Sequence, residues 1–153
     1  MGSIKGEVRP VTIPVKILLD TNIIIDFALE RQPYLEAIEQ ILLLAEQGRF
    51  EAYISASTFS DLYYIIRKQR GRDWVLDFLK RLVKFCKIAA VNEAAIRMAL
   101  TANFRDFEDA IQYGAAVTNG LDVIVTRNQQ DFTGSALRIL TPNLLIEGLT
   151  SSP

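Results

Sequence analysis

The chain has 153 residues, of which half are apolar, and its formal net charge is −1. That length is enough for one domain with a substantial core, and the small charge provides no global positive field to attract nucleic acid. The absence of histidine excludes Ser-His-Asp and Cys-His catalytic machinery and His-ligated zinc, so a bound metal would need oxygen ligands, which suit Mg²⁺ or Mn²⁺.

The N-terminal segment, residues 1–14, contains several Gly, Pro and Ser residues, and we expect it to be a flexible arm. It lacks the apolar core of a signal peptide, and no apolar run approaches the ~20 residues that span a bilayer. The single cysteine, Cys86, allows no intramolecular disulfide, as suits a reducing compartment. We therefore expect a cytoplasmic protein with one domain at residues 15–149 and a frayed tail at 150–153.

Five short apolar runs have the length and composition of buried strands. They lie at residues 15–19, 51–55, 87–91, 122–126 and 137–140. Between them, apolar residues recur at helical spacing, which predicts helices at residues 23–29, 34–47, 58–69, 73–83, 93–100, 107–119 and from 142 onward. Ser57 or Thr58 is expected to cap the third of these helices, and Asn92 the fifth. Strands that alternate with helices predict a three-layer α/β/α sandwich around a central, mainly parallel five-stranded sheet.

Four aspartates lie where predicted strands end or predicted helices begin. They are Asp20, Asp61, Asp109 and Asp131, with Asp106 and Glu108 close to the third. In a parallel sheet these positions share the carboxyl edge, where ligands bind. Clustered carboxylates can hold divalent ions that activate water and neutralise the charge that develops on a phosphodiester. The pattern therefore predicts catalytic, metal-binding aspartates at this edge.

Helix capping accounts for some of the same residues. Thr58 with Asp61, and Asp106 with Asp109, have the spacing of a capping box in which Asp replaces Glu. A negative charge in a first helical turn is also favoured by the helix dipole, and Asp20 could cap a turn. The recurrence of acids at one sheet edge favours a site over separate caps.

Four segments of the chain resemble the PIN domain, and within it the toxin-like, VapC-type ribonucleases of bacterial toxin–antitoxin modules. The segments are LLDTNIIIDF at residues 18–27, ISASTFSDLYYIIRK at 54–68, DFEDAIQYGAA at 106–116 and IVTRNQQDF at 124–132. The resemblance implies an α/β/α fold and a Mg²⁺- or Mn²⁺-dependent endoribonuclease that cleaves single-stranded RNA and pairs with an antitoxin. Asp20, Asp61 and Asp109 match the first three acids of the family.

The fourth family acid is absent from its usual place. Many relatives carry Asp two residues after the threonine of the fourth strand, and here that residue is Asn128. Asp131 is the nearest carboxylate, and we expect it to substitute. Six further residues are expected to support the site or contact phosphate, with Arg127 the favoured phosphate contact: Asn22, Asp106, Glu108, Thr126, Arg127 and Asn128.

One predicted helix carries four consecutive apolar or aromatic residues, 63–66, and they cannot all face the core. The surplus predicts a partner surface, either for a second copy in a homodimer or for an antitoxin. A catalytically weak PIN scaffold that binds RNA or protein remains an alternative, and Asn128 favours it. A phosphatase with an aspartate nucleophile is disfavoured, because its second Asp would stand at Asn22. No glycine-rich loop follows the first strand, which excludes dinucleotide and P-loop sites.

Overall fold

The computed structural model describes residues 14–150. The predicted arm, apart from Pro14, and the predicted tail, apart from Thr150, lie outside the described residues. The strands are β1 Lys16–Leu19, β2 Glu51–Ser55, β3 Cys86–Ala89, β4 Val123–Val125 and β5 Arg138–Leu140. The helices are α1 Thr21–Ala28, α2 Leu35–Glu46, α3 Thr58–Arg70, α4 Arg72–Leu82, α5 Glu93–Thr101, α6 Phe107–Thr118 and α7 Pro142–Thr150, with a 3₁₀ turn at Gln129–Phe132.

The five strands form one sheet in the order β3-β2-β1-β4-β5, and every neighbouring pair is parallel. β1 is central, since Ile17 pairs with Ala52 of β2 on one side and with Val123 of β4 on the other. The chain adds β2 and β3 on one side of β1 and later adds β4 and β5 on the other. The α/β/α fold and parallel five-stranded sheet predicted from the sequence are confirmed.

Both faces of the sheet are covered, which explains why residues 17–19 of β1 are all apolar. Ile17 and Leu19 face the core shared with α1, α2, α3, α4 and α7, whereas Leu18 faces the second core with α6 and the 3₁₀ turn. All three side chains are fully buried. Burying one such side chain stabilises the fold by about 1.5–3 kcal/mol, so a charge anywhere in this run would be strongly destabilising.

The predicted helix caps are partly confirmed. Asn92 caps α5 by accepting from the Ala95 amide at 3.0 Å, and Asp106 caps α6 by accepting from the Asp109 amide at 3.1 Å. The cap expected for α3 is wrong, because neither Ser57 nor Thr58 caps it through its side chain. The hydroxyl of Thr58 instead lies 2.8 Å from that of Thr21 in α1, a tertiary contact that local spacing does not reveal.

The apolar run on α3 divides between core and surface. Ile66 is fully buried, whereas the side chains of Tyr64 and Ile65 are 55% and 38% exposed. Helical geometry explains the division, because consecutive residues point in different directions around the axis. Within residues 14–150, no helix has the length and apolar character that crossing a membrane requires.

Candidate active site

The site begins where the centre of the sheet ends. Asp20 directly follows β1, and its backbone N–H donates to the carbonyl of Val125 in β4 at 2.9 Å. The strand order reverses between these two strands, because β1 continues to β2 on one side and β4 continues to β5 on the other. A crevice at the carboxyl ends of such strands is the usual ligand site in an open α/β sheet.

Asp20 is held rigidly by two side-chain donors. Its Oδ1 accepts from Gln112 Nε2 at 2.9 Å and its Oδ2 accepts from the Thr126 hydroxyl at 2.8 Å. The Gln112 amide is oriented in turn, because its Oε1 accepts from the Thr21 backbone N–H at 3.2 Å. Asp20 is only 2% exposed, so its carboxylate is shielded from water. The two hydrogen bonds compensate for that lost hydration.

A cavity of about 450 Å³ opens beside Asp20. Six carboxylates line it, namely Asp20, Asp61, Asp106, Glu108, Asp109 and Asp131. They come from the end of β1, the first turn of α3, the start of α6 and the 3₁₀ turn. Asn22 and Gln112 also line the cavity, together with one cationic side chain, Arg105. The structure therefore brings the four aspartates predicted from the sequence into one cavity.

Burial and the crowding of carboxylates raise several pKa values in the cavity. Burial is the main cause for Asp109, and repulsion from Asp20, Asp106 and other acids adds to it, so that its pKa rises from 3.8 to about 7. The pKa of Glu108 is raised, chiefly by the charge of Asp61. Burial also raises the pKa of Asp20, although the bonds from Gln112 and Thr126 oppose it. A cation in the cavity would relieve this repulsion.

The donor chemistry fits a hard divalent cation. Within residues 14–150, no three His, Cys, Asp or Glu side chains are arranged so that they could hold a metal ion together. Mg²⁺, however, keeps several of its waters and is often bound by one or two carboxylates. Asp20 and Asp109 could hold Mg²⁺ or Mn²⁺ partly through water, with Asp61 and Asp131 contributing charge from the same cavity.

Asn128 and Asp131 have different positions. Asp131 lines the cavity beside Asp20, whereas Asn128 lines only the adjoining one. The Asn128 amide is occupied by its own turn, because its Oδ1 accepts from the Gln130 N–H at 3.2 Å and its Nδ2 donates to Asp131 at 3.2 Å. Asn128 thus orients Asp131 and the 3₁₀ turn. Asp131 is the carboxylate that lies next to Asn128, where relatives carry the fourth acid.

The capping interpretation holds for Asp106 but not for the other acids. Asp106 accepts the Asp109 amide, as an N-cap residue does. Asp109 directs its carboxylate towards Gln112 Nε2, at 3.5 Å. Asp61 has no capping box to complete, because Thr58 contacts Thr21 instead. Asp61 and Asp109 both line the cavity, and both also lie in the first turn of their helices, where a negative charge is favoured by the helix dipole.

Arg127 lies away from the carboxylate cavity, contrary to the sequence-based expectation that it sits at the acidic edge. Its Nε is 3.5 Å from Oδ2 of the fully buried Asp26, and its guanidinium lies over the Tyr34 ring at 4.5 Å from the centroid. Arg31 approaches the other oxygen of Asp26, also at 3.5 Å. The main contacts of Arg127 are thus structural, since they tie the loop after β4 to α1 and to the segment before α2.

Sequence reasoning missed two residues of this site, Gln112 and Arg105. Gln112 lies three residues after Asp109 in one helix and therefore on the same face, a signal that the spacing does contain. Arg105 precedes the cap residue Asp106 in a loop. No local pattern separates Arg105 from the other cations of the chain, because only the fold places that loop beside Asp20.

Comparison with known proteins gives consistent matches. The family model described as PIN domain matches residues 16–130. Over 131 residues the chain is 25% identical to Ribonuclease VapC1 of Aquifex aeolicus (strain VF5), which covers 82% of this chain and 90% of the relative. The solved structure of VapBC2 from Rickettsia felis, bound to a promoter DNA fragment, matches with a TM-score of 0.65 and 16% identity, covering 83% of this chain and 98% of that one. A toxin–antitoxin complex from Klebsiella pneumoniae matches with a TM-score of 0.63 and 23% identity, covering 82% and 97%.

Proposed function

Because the chain belongs to the PIN domain family, we propose that it is a Mg²⁺- or Mn²⁺-dependent endoribonuclease that cleaves single-stranded RNA. The observation that carries the proposal is the cavity in which six carboxylates surround the end of β1. The name of the Aquifex relative, a ribonuclease, supports the same reaction. Asp20, Asp61, Asp109 and Asp131 are the proposed catalytic and metal-binding residues, and Asn22, Asp106, Glu108, Thr126 and Asn128 are proposed to support them.

The proposed chemistry depends on how the chain fixes its own charges. A bound divalent cation would supply water activation and charge neutralisation at the phosphodiester. The Gln112 and Thr126 donors hold Asp20 in one orientation, and their bonds favour its ionised form against the effect of burial. Without an ion, the pKa of Asp109 is about 7, and a cation bound in the cavity would lower it by relieving the repulsion between the carboxylates. Asn128 orients Asp131 through its amide.

We propose that the protein is the cytoplasmic toxin of a toxin–antitoxin module. The solved relatives from Rickettsia and Klebsiella are toxin–antitoxin complexes, which supports an antitoxin partner. The exposed side chains of Tyr64 and Ile65 on α3 offer an apolar surface for the antitoxin or for a second copy in a homodimer. Ile65 also lines the carboxylate cavity, so a partner on this surface would lie beside the site.

The test is cleavage of single-stranded RNA by purified protein with Mg²⁺, Mn²⁺ or a chelator. We expect Asp20→Asn and Asp109→Asn each to reduce the rate by about 100-fold or more, since each removes a carboxylate proposed to hold the ion. Asp77→Asn is the matched control, because Asp77 is exposed on α4. Circular dichroism checks that the variants fold. Folded Asp20 and Asp109 variants with wild-type rates would refute the assignment.

A catalytically weak scaffold that binds RNA or protein is the second candidate. One observation favours it: within the described residues, no three potential ligands are arranged to hold an ion directly. This candidate predicts that the wild-type protein binds RNA without cleaving it, whichever divalent ion is added. The same assay, with RNA binding measured alongside cleavage, separates the two functions.

A further inference from the structure

Two further cavities continue from the carboxylate cavity along the surface of the protein. The first, of about 500 Å³, shares Arg105, Asp106, Asp109 and Asp131 with it. The second, of about 530 Å³, shares Asn103, Phe104 and Thr133 with the first. Together they form a trough between the loop 102–106 and the segment 128–134. One end of the trough is lined by carboxylates and the other by apolar and amide groups.

Arg105 stands at the junction between the carboxylate cavity and the trough. It lines both of the cavities that meet there. Its guanidinium forms no ion pair with any carboxylate among residues 14–150, although Asp106, Asp109 and Asp131 line the same two cavities. An exposed arginine with all of its donors free, beside a site proposed to cleave a phosphodiester, is placed to bind a phosphate oxygen.

The far end of the trough has the composition of a base-binding pocket. The ring of Phe104 forms part of its wall and is held by Tyr113 at 4.9 Å and by the edge of Phe132 at 6.0 Å between ring centroids. Met98 adds a second apolar group to the wall. The Asn103 amide has no hydrogen-bond partner within the described part of the chain. The pocket therefore combines apolar groups with the hydroxyls of Thr101 and Thr133 and the Asn103 amide. A pocket of this mixed kind can take an unstacked base and bond to its edge.

We propose that this trough binds the nucleotide next to the scissile phosphodiester of single-stranded RNA, with Arg105 on a phosphate and Asn103 on the base. The proposal rests on the proposed ribonuclease function and adds a source of sequence preference to it. Single-stranded RNA fits because its bases are free to leave the stack. A duplex would keep its bases paired and could not insert one into a pocket walled by Met98 and Phe104.

The first experiment compares Arg105→Gln with the wild type on single-stranded RNA, at constant Mg²⁺ and several KCl concentrations. Loss of a charge-assisted phosphate contact should raise KM about tenfold with little change in kcat. The slope of log(1/KM) against log[KCl] should become shallower by about 0.7, the effect of one phosphate contact fewer on a single strand. A folding defect would instead lower the active fraction and kcat. Arg138→Gln is the matched control, because Arg138 is exposed at the amino end of β5, opposite the site.

The second experiment maps the ends of cleaved mixed-sequence RNA. The wild-type protein should favour certain bases at a position beside the cut. Asn103→Ala should weaken that preference about threefold or more, since one hydrogen bond to the base is lost. A wild-type KM and salt slope in Arg105→Gln, or an unchanged map in Asn103→Ala, would overturn the proposal.

The failure of this proposal can be told apart from failure of the ribonuclease function. Binding of a fluorescently labelled single-stranded RNA is measured for the same variants by anisotropy. If the wild type binds RNA with an Arg105-dependent salt slope but never cleaves it, the trough stands and the enzymatic function fails. If it neither binds nor cleaves, both are refuted. If it cleaves and the variants match the wild type, only the trough proposal falls.

Discussion

The fold changes the ionisation of Asp109. Its pKa rises from 3.8 to about 7, through burial first and repulsion from Asp20 and other acids second. Between pH 3.8 and about pH 7, Asp109 in the folded protein retains a proton that the unfolded chain has released. Because the folded state then binds more protons, its free energy of unfolding decreases as pH rises through this window. Raised pKa values at Asp20 and Glu108 act in the same direction.

We therefore expect the melting temperature of the metal-free protein to fall as pH rises from about 4 to about 7, the window between the two pKa values of Asp109. Asp109→Asn should reduce that fall without abolishing it, because other raised carboxyls remain. Thermal unfolding in chelator across this range measures the effect. Asp77→Asn, an exposed change of the same chemistry, should retain the full decline. An unchanged pH dependence in Asp109→Asn would contradict the prediction.

Arg127 shows that a residue next to a site residue in the sequence need not line the same cavity. Thr126 and Arg127 are consecutive residues directly after β4, but their side chains have different partners. Thr126 donates to Asp20 at 2.8 Å, whereas Arg127 reaches Asp26 and Tyr34. Asp26 is fully buried, and its Oδ2 has no hydrogen bond among the described residues. The nearby charge of Arg127 therefore offsets part of the cost of burying that carboxylate.

At the scale of elements, the packing of α5 against α6 determines where the site residues lie. The two helices carry the loop 102–106 between them, and α6 carries Asp109 and Gln112. Gly114 of α6 packs directly on the backbone of Ala95 in α5, and a Cβ at Gly114 would collide with the Ala95 carbonyl oxygen. Glycine lowers the helix propensity of α6 at this position. The close packing of α5 and α6 that it permits offsets this loss of stability.

Gly114→Ala should therefore destabilise the protein by about 1–3 kcal/mol, because the added methyl group forces the helices apart. It should also reduce RNA cleavage, since the movement displaces Asp109 and the loop 102–106. Chemical denaturation and the cleavage assay measure the two effects. Gly148→Ala in α7 is the control, because no atom lies within 4 Å of a Cβ added there. Equal stability of the two variants would contradict this account of the packing.

At the scale of the whole molecule, the carboxylate cavity should make stability depend on divalent ions. An ion that binds only the folded state adds about 2.7 kcal/mol at a concentration 100 times its dissociation constant. Mg²⁺ or Mn²⁺ should therefore raise the melting temperature of the wild type. The shift should shrink in Asp20→Asn and Asp109→Asn and persist in Asp77→Asn. Equal shifts in all four proteins would show that the ions act elsewhere.

The fold class and the acidic residues of the candidate site could be predicted from the sequence. Short runs of β-branched and aliphatic residues between amphipathic segments are enough to predict a parallel sheet covered on both faces. Asp20, Asp61, Asp109 and Asp131 follow from the same pattern, because strand ends and helix starts lie together at one edge of such a sheet. The caps at Asn92 and Asp106 were equally readable, since each bonds to a backbone amide three residues away.

Contacts between side chains far apart in the sequence were visible only in the folded structure. Thr58 bonds to Thr21 rather than to its own helix, and Gln112 reaches Asp20 across 92 positions of sequence. The positions of Arg105 beside the cavity and of Arg127 against Asp26 have the same origin. A local pattern allows a side chain several partners, and the sheet order and the α5–α6 packing decide which of them come within hydrogen-bonding distance. The fold class follows from periodic patterns within short segments. These contacts instead depend on which segments, distant in the sequence, lie next to each other after folding.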